Sequence, residues 1–329
     1  MTKKLTDFYS NRVLEYSKDL KEEDFLLKTN LILKADEEQW YKEHEIQFPF
    51  IFVFGLPRSG TTLLSQFIAH SFDISFINNL VARFWLAPLH GIRLSNVILG
   101  RNKKTSFSSD YARTEIISDI HEFGYFWRYW LHKDDIEGVT NINEAEKKIN
   151  WPLLKLVLSN IQYEFNKPMI FKNIFGSYHI KKLISLLGKV IFVYIERDES
   201  DVAISILNAR KKYYKDLTTW WSYMPPDYDK IKDLNYWEQI AGQIFYLKKF
   251  YNKKIKENNK NVITVSYKEL CESPETLAKK IQKRCAELFD FDLRLLKDFP
   301  QNFPFRIYQN NNDEKEKFNK LLNQFRHEN

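Results

Sequence analysis

An α/β fold, with a central parallel sheet flanked by helices, is what this sequence predicts, and three observations predict it. Residues 48–55 form an unbroken apolar run that stops at Gly55, and residues 190–195 form a second such run. Each is followed by a stretch with helical spacing, 61–70 after the first and 201–212 after the second. Strands covered on both faces read as continuous apolar runs, and strands that alternate with helices need crossover connections, which make a sheet parallel.

The elements follow in order. Residues 1–45 read as helical and amphipathic, a surface segment packed on the core, and residues 46–329 as a single domain. After the strand 48–55 and its helix, residues 168–172 and 261–265 read as further strands. The stretch 183–195 is interrupted by Lys189, so it divides into a buried helix end and a strand. Between 218 and 233, Pro225 and Pro226 stand among aromatics, which suits an irregular lid or insertion. Apart from the short asparagine run 310–312 there is no low-complexity tract, and there is no repeat.

Composition bounds the function. With 44% hydrophobic residues and 28% charged, the 329 residues can bury a large core. A net charge of +7 suits an anionic ligand. The positive charge is spread over clusters at 101–104, 210–212 and 253–260, without an arginine-rich arm or basic helix, so nucleic acid is not the expected partner. Cys271 and Cys285, the only cysteines, fall in one stretch of helical spacing and form neither a disulfide framework nor a metal pair. Reduced thiols and a cytoplasmic location are expected. The first residues are charged rather than an apolar signal, and no apolar run reaches the roughly 18 residues of a membrane span.

The glycines, nine in all, are informative where they flank a strand exit. Gly55, Leu56, Pro57, Arg58, Ser59, Gly60, Thr61 and Thr62 have the G-x-x-x-x-G spacing of a phosphate loop between a strand and a helix. Glycines let the backbone curl so that successive N–H groups converge on one anion, and the helix N-terminus adds its positive dipole end. A nucleotide triphosphatase would carry lysine at position 61, where this chain has threonine; Arg58 supplies a cation from within the loop instead. A bare G-x-x-x-x-G is as readily a simple strand–turn–helix corner, and it is the polar set Arg58, Ser59, Thr61 and Thr62 that favours the phosphate loop.

The second run delivers Arg197 at a strand end, with Asp198, Asp201 and Ser205 following on the next helix. Arginine and serine there can hold a phosphate, although Arg197 beside Asp198 also fits a surface ion pair.

Taken together, the two elements resemble the sulfotransferases that use 3′-phosphoadenosine 5′-phosphosulfate (PAPS). The 5′-phosphosulfate loop of that family resembles residues 57–62, and its 3′-phosphate motif resembles Arg197, Asp198, Asp201, Val202, Ala203 and Ser205. A later stretch, Val265 to Leu270 followed by Ser273, Pro274 and Glu275, is similar to the family's strand and helix near its C-terminal end, and the resemblance spans about 48–290. The arginine in the loop is nearer the protein-tyrosine and bacterial carbohydrate branches than the cytosolic phenol branch, which has lysine there.

The resemblance implies a P-loop-type, three-layer fold and in-line sulfuryl transfer from PAPS to a hydroxyl or amine, leaving PAP and needing no metal. It implies Arg58, Ser59, Gly60, Thr61, Thr62, Arg197, Ser205 and Tyr267 as nucleotide-binding residues. Arg58 and Lys172 are also implied near the reacting sulfate; a solvent-facing strand-end lysine is the competing reading of Lys172. The phenol branch places its histidine two residues after that lysine, and here that position is Ile174; His179 lies too far along to replace it. Glu122, and after it His121, are the candidate bases, in a segment where acid and imidazole lie among aromatics. Trp127, Trp130, Trp220, Trp221 and Trp237 could stack on a sugar or pack a core, with Trp220 and Trp221 the least core-like. The expected acceptor is a carbohydrate or glycolipid. A P-loop kinase or triphosphatase, or a non-catalytic PAP-binding protein, are the alternatives.

Overall fold

In the computed structural model, which describes residues 11–100, 106–108, 114, 116–296, 300–308 and 312–328, the sheet is built from short strands alternating with helices. The order is α1 (Leu20–Glu37), β1 (Phe50–Gly55), α2 (Thr61–Ser71), β2 (Ser75–Phe76), α3 (Pro88–Leu99) and α4 (Gly124–Trp130). There follow α5 (Ile136–Thr140), α6 (Ile142–Lys148), α7 (Trp151–Phe165), β3 (Met169–Lys172), α8 (Ile180–Leu187), β4 (Val190–Glu196) and α9 (Glu199–Tyr214). The chain closes with α10 (Tyr236–Glu257), β5 (Val262–Ser266), α11 (Tyr267–Glu272), α12 (Pro274–Phe289) and α13 (Asn312–Glu328).

The strands lie in the order β2-β3-β1-β4-β5, each pair parallel. Successive side chains of a strand point to opposite faces. Phe50, Phe52 and Phe54 of β1, with Val190, Phe192 and Tyr194 of β4, therefore enter the core beneath α7, α8, α9 and α10. Ile51 and Val53, with Ile191, Val193 and Ile195, enter the other, beneath α2, α11 and α12. β1, and β4 as far as Ile195, lack charged residues because both faces are covered, and the result is three layers, as expected.

This topology fixes the place of a site. β1 and β4 are neighbours in register, Gly55 opposite Ile195, yet β1 leads into α2 on one face and β4 into α9 on the other. Two adjacent strands whose connections diverge leave a crevice beyond their carboxyl ends, where ligands of open α/β sheets bind.

Two expectations need correction. Residues 1–45 are not helical throughout: among the described ones, a 3-10 turn at Leu14–Tyr16 precedes α1, and 41–47 are irregular. Asp19 caps α1 at its start, taking the N–H of Lys21 at 2.8 Å, while the Val13 N–H is spent on the Tyr213 carbonyl at 2.9 Å. Nor does α1 turn an apolar face to the core. It buries Asn30 and Glu37 and exposes Phe25 and Ile32. It docks by hydrogen bonds, Asn30 to the Leu86 N–H and Arg83 carbonyl, Glu37 to the Tyr41 hydroxyl and the His90 N–H. The cysteines, both buried and free, lie on two helices rather than one, since Ser273 ends α11 and Pro274 opens α12.

Residues 215–235 contain no strand or α-helix, only the 3-10 turn Tyr228–Lys230. The segment is nonetheless pinned: Met224 and Ile231 are buried, and the Tyr178 hydroxyl donates to the Met224 carbonyl at 2.7 Å. The basic cluster 101–104 lies outside the described residues, as do 310 and 311 of the asparagine run. Among the described residues no helix is long and apolar enough to cross a membrane.

Candidate functional site

A cleft of about 760 Å³ opens at the carboxyl ends of β1 and β4, within the roughly 300–1,000 Å³ of small-molecule sites. Its floor is the loop after β1. Arg58 and Gly60 both take the left-handed conformation, at φ 69° and 106°, and this curls residues 58–60 back on themselves. The Ser59 hydroxyl donates to the Leu56 carbonyl at 2.8 Å, so this serine closes the turn rather than facing the cleft. Thr61 and Thr62 line the cleft at the start of α2, whose first N–H groups have no acceptor within the helix. Glycine at 60 is required twice over: by its φ, and because a Cβ would meet the Tyr267 ring at 2.8 Å.

The end of β4 supplies the second wall. Asp198 caps α9 by accepting the Asp201 N–H at 2.9 Å, which settles its role as a cap and not an ion pair with Arg197. One turn into α9, the buried Ser205 accepts a hydrogen bond from Arg58 Nε at 3.0 Å. The two phosphate motifs are thus in direct contact. Arg197 Nη1 donates to the Arg58 carbonyl at 3.1 Å and Nη2 to the Arg306 carbonyl at 2.6 Å, and its guanidinium lies 4.6 Å over the Tyr267 ring. Its Nε is buried with no hydrogen-bond partner among the described residues. A buried N–H left unmade costs about 1–3 kcal/mol, which an anion accepting it would remove. That orphan donor, the cradle beside Tyr267 and the open helix start fit a nucleotide phosphate.

The third wall carries the candidate bases. Lys172, buried at the end of β3, pairs with Glu122 Oε1 at 2.8 Å, so it does not face solvent. The Tyr223 hydroxyl donates to Glu122 Oε2 at 3.3 Å. Burial pushes the Glu122 carboxyl up, but the Lys172 ammonium, with help from His121 and Tyr223, outweighs it and holds the group below its ordinary value. This reverses the rise that burial among aromatics leads one to expect. His121 is different. Burial takes it down to about 4, so it is neutral, and its Nδ1 accepts the Phe123 N–H at 2.8 Å. The proton then sits on Nε2, which makes His121 a donor as it stands and leaves Glu122 the better base.

His179 is buried on Glu146 at 2.9 Å, away from the cleft, while Ile174 lines it. Trp127 is core, Trp130 packs against that core, and Trp237 packs on Phe318. Trp220 and Trp221 are more buried than their sequence suggests, at 4% and 8% exposure, yet both line the cleft.

Sequence reasoning missed Tyr223 and Arg306, and with them Arg12, Lys18 and Arg128, which line the far end. Arg306 is held through its main-chain oxygen, which leaves no mark in sequence.

The chain is similar to sulfotransferase STF1 of Mycobacterium tuberculosis at 15% identity and TM-score 0.49, over 80% of this chain and 75% of that one. It is similar to sulfotransferase STF9 of Mycobacterium avium at 13% identity and TM-score 0.49, over 93% and 78%. For the sulfotransferase domain of the Synechococcus olefin synthase the values are 13% and 0.38, over 87% and 97%. A comparison with curated proteins finds no match. Residues 49–290, which hold both phosphate motifs, the Glu122–Lys172 pair and Tyr267, match the model of the sulfotransferase family, and the chain belongs to that family.

Proposed function

We propose that this sulfotransferase uses PAPS as donor and transfers its sulfuryl group to a hydroxyl of a carbohydrate or glycolipid. The observation that carries the reading is the meeting of the two candidate phosphate motifs through the Arg58–Ser205 bond, with Glu122, paired to the buried Lys172, lining the same cleft. PAPS supplies the activated S–O bond. The N–H groups of Gly60, Thr61 and Thr62, with Arg58, hold the charge that grows on the departing 5′-phosphate oxygen. Arg197 and Ser205 hold the 3′-phosphate, and Tyr267 supports both Gly60 and Arg197. Glu122 takes the proton from the acceptor hydroxyl as its oxygen bonds to sulfur. Lys172 keeps Glu122 ionised and oriented. Trp220 and Trp221 offer flat apolar surface to a sugar ring.

The direct test is PAP release from PAPS with a panel of glycan and glycolipid acceptors, alongside thermal shifts with PAP and with magnesium ATP. Acceptor-dependent PAP release and a larger shift with PAP are expected. A larger shift with ATP would favour a kinase, and PAP binding without turnover a binding protein.

A further inference from the structure

The charges that line the cleft are lopsided. Among the described lining residues, Arg12, Lys18, Arg58, Arg128, Arg197 and Arg306 are cations, and Glu122 is the one carboxylate. Arg58, Arg197 and Arg306 stand at the nucleotide end. The other three gather about the rings of Tyr125 and Tyr213.

Separate parts of the chain bring them together. Glu122 stands before Phe123, the left-handed N-cap of α4, and within α4 Tyr125 and Arg128 are three residues apart, so these two share one helix face. The Arg128 guanidinium lies 4.7 Å over the Tyr125 ring, and the Lys18 ammonium 4.2 Å over the same ring. Val13, bonded to the Tyr213 carbonyl, holds the segment that carries Arg12, whose guanidinium lies 5.3 Å over the Tyr213 ring. Tyr213 in turn meets Trp221 edge-on at 6.1 Å. The three cations feel one another. Burial lowers the Lys18 ammonium, its partner Glu23 at 2.9 Å opposes this, and Arg128 and Arg12 lower it further. Positive groups crowded on an aromatic floor attract an anion over and above the partners they already have.

We infer that the far end of the cleft is a subsite for an oxyanion of the acceptor, so that the molecule sulfated is already acidic, carrying a carboxylate or phosphate near the hydroxyl offered to Glu122. Arg128 and Arg12 grip the oxyanion, Lys18 adds its charge, and Trp220 and Trp221 cover the ring that bears it. The inference deepens the reading of the cleft as a sulfotransferase site and rests on it for the acceptor's identity.

The test is calorimetric and uses matched probes, with PAP saturating the nucleotide end and again without it. 4-Nitrophenyl β-glucuronide is compared with the corresponding glucoside, and glucose 6-phosphate with glucose. The expected result is that the acidic member of at least one pair binds about tenfold tighter or more, and which pair does so distinguishes carboxylate from phosphate. Arg12→Gln, Lys18→Gln and Arg128→Gln should each erode that preference while binding of the neutral member holds. Arg12 and Lys18 are half-buried where Arg128 is buried, so these two variants answer the question even if Arg128→Gln fails to fold. Equal binding within both pairs, or a preference that survives in the folded variants, overturns the inference. Failure of PAP to bind sinks the sulfotransfer reading instead, and the probe comparison on the nucleotide-free protein still decides the subsite.

Discussion

At Glu122 a single ion pair decides how the site responds to pH. The folded-state value of its carboxyl is depressed, so its charged form is present above the ordinary carboxylate value of 4.5 and is lost only as pH falls through the lower folded value. Turnover should therefore show no acidic limb between about pH 5 and 8, and a limb below that should vanish in Glu122→Gln and persist in His121→Ala, since His121 also takes its proton near 4. Glu122→Gln should reduce turnover by about 10²–10⁴, with PAP affinity near wild type. Because that variant strips the buried Lys172 of its carboxylate, its melting temperature must be measured beside the rate. Wild-type turnover in a folded Glu122→Gln enzyme would place the base elsewhere. Arg197 makes a second residue-level prediction. Its alanine variant should lose PAP affinity by about one to two orders of magnitude, the equivalent of a charge-assisted bond of roughly 1.5–3 kcal/mol. Adenosine 5′-phosphosulfate, without a 3′-phosphate, should lose far less. Equal losses for both nucleotides would refute the 3′-phosphate assignment.

Among elements, the strand–turn–helix at 50–71 was legible because its parts are contiguous: an apolar strand, a glycine-spaced turn and a helix written in one stretch of sequence. The strand at β4 was legible for the same reason. What was not legible are elements shaped by partners distant in sequence. β2 is two residues long, and α1 turns its apolar residues outward because Asn30 and Glu37 find their partners on the segment 83–90. The wall proposed for the acceptor joins residues 11–18, α4 and 220–223, which meet only in the folded chain. The loop offers a clean test of its own geometry. Gly60 and Gly100 both have positive φ, so alanine at either is expected to cost about 1–3 kcal/mol in the backbone. Among the described residues a Cβ at 100 meets nothing within 4 Å, whereas one at 60 meets Tyr267 and Ile195. Gly60→Ala should thus lower the melting temperature more than Gly100→Ala and should alone weaken PAP binding. Equal effects on both readouts would mean that the Tyr267 contact yields without consequence.

Over the whole molecule, the net charge of +7 meant little until the fold concentrated cations along one cleft. A cleft lined by one sign of charge focuses field lines and raises the encounter rate of an opposite charge. Stopped-flow association of PAP should slow steeply as salt rises from 20 to about 300 mM, because the Debye length then falls well below about 10 Å. Dissociation should change far less. An association rate indifferent to salt would show that the lining charges do not act at a distance.

The two main-chain bonds of Arg197 have a kinetic meaning as well. They tie the phosphate loop, through the Arg58 carbonyl, to the segment that carries Arg306, while Asp201 fastens that segment again through the Tyr308 N–H and Lys315. Because the orphan Nε can take a phosphate while both ties hold, a nucleotide bound there would rest on a loop and a segment already joined. Amide exchange in residues 303–308 should then slow in the presence of PAP, and quickening would show instead that the guanidinium gives up a main-chain tie to grip the phosphate.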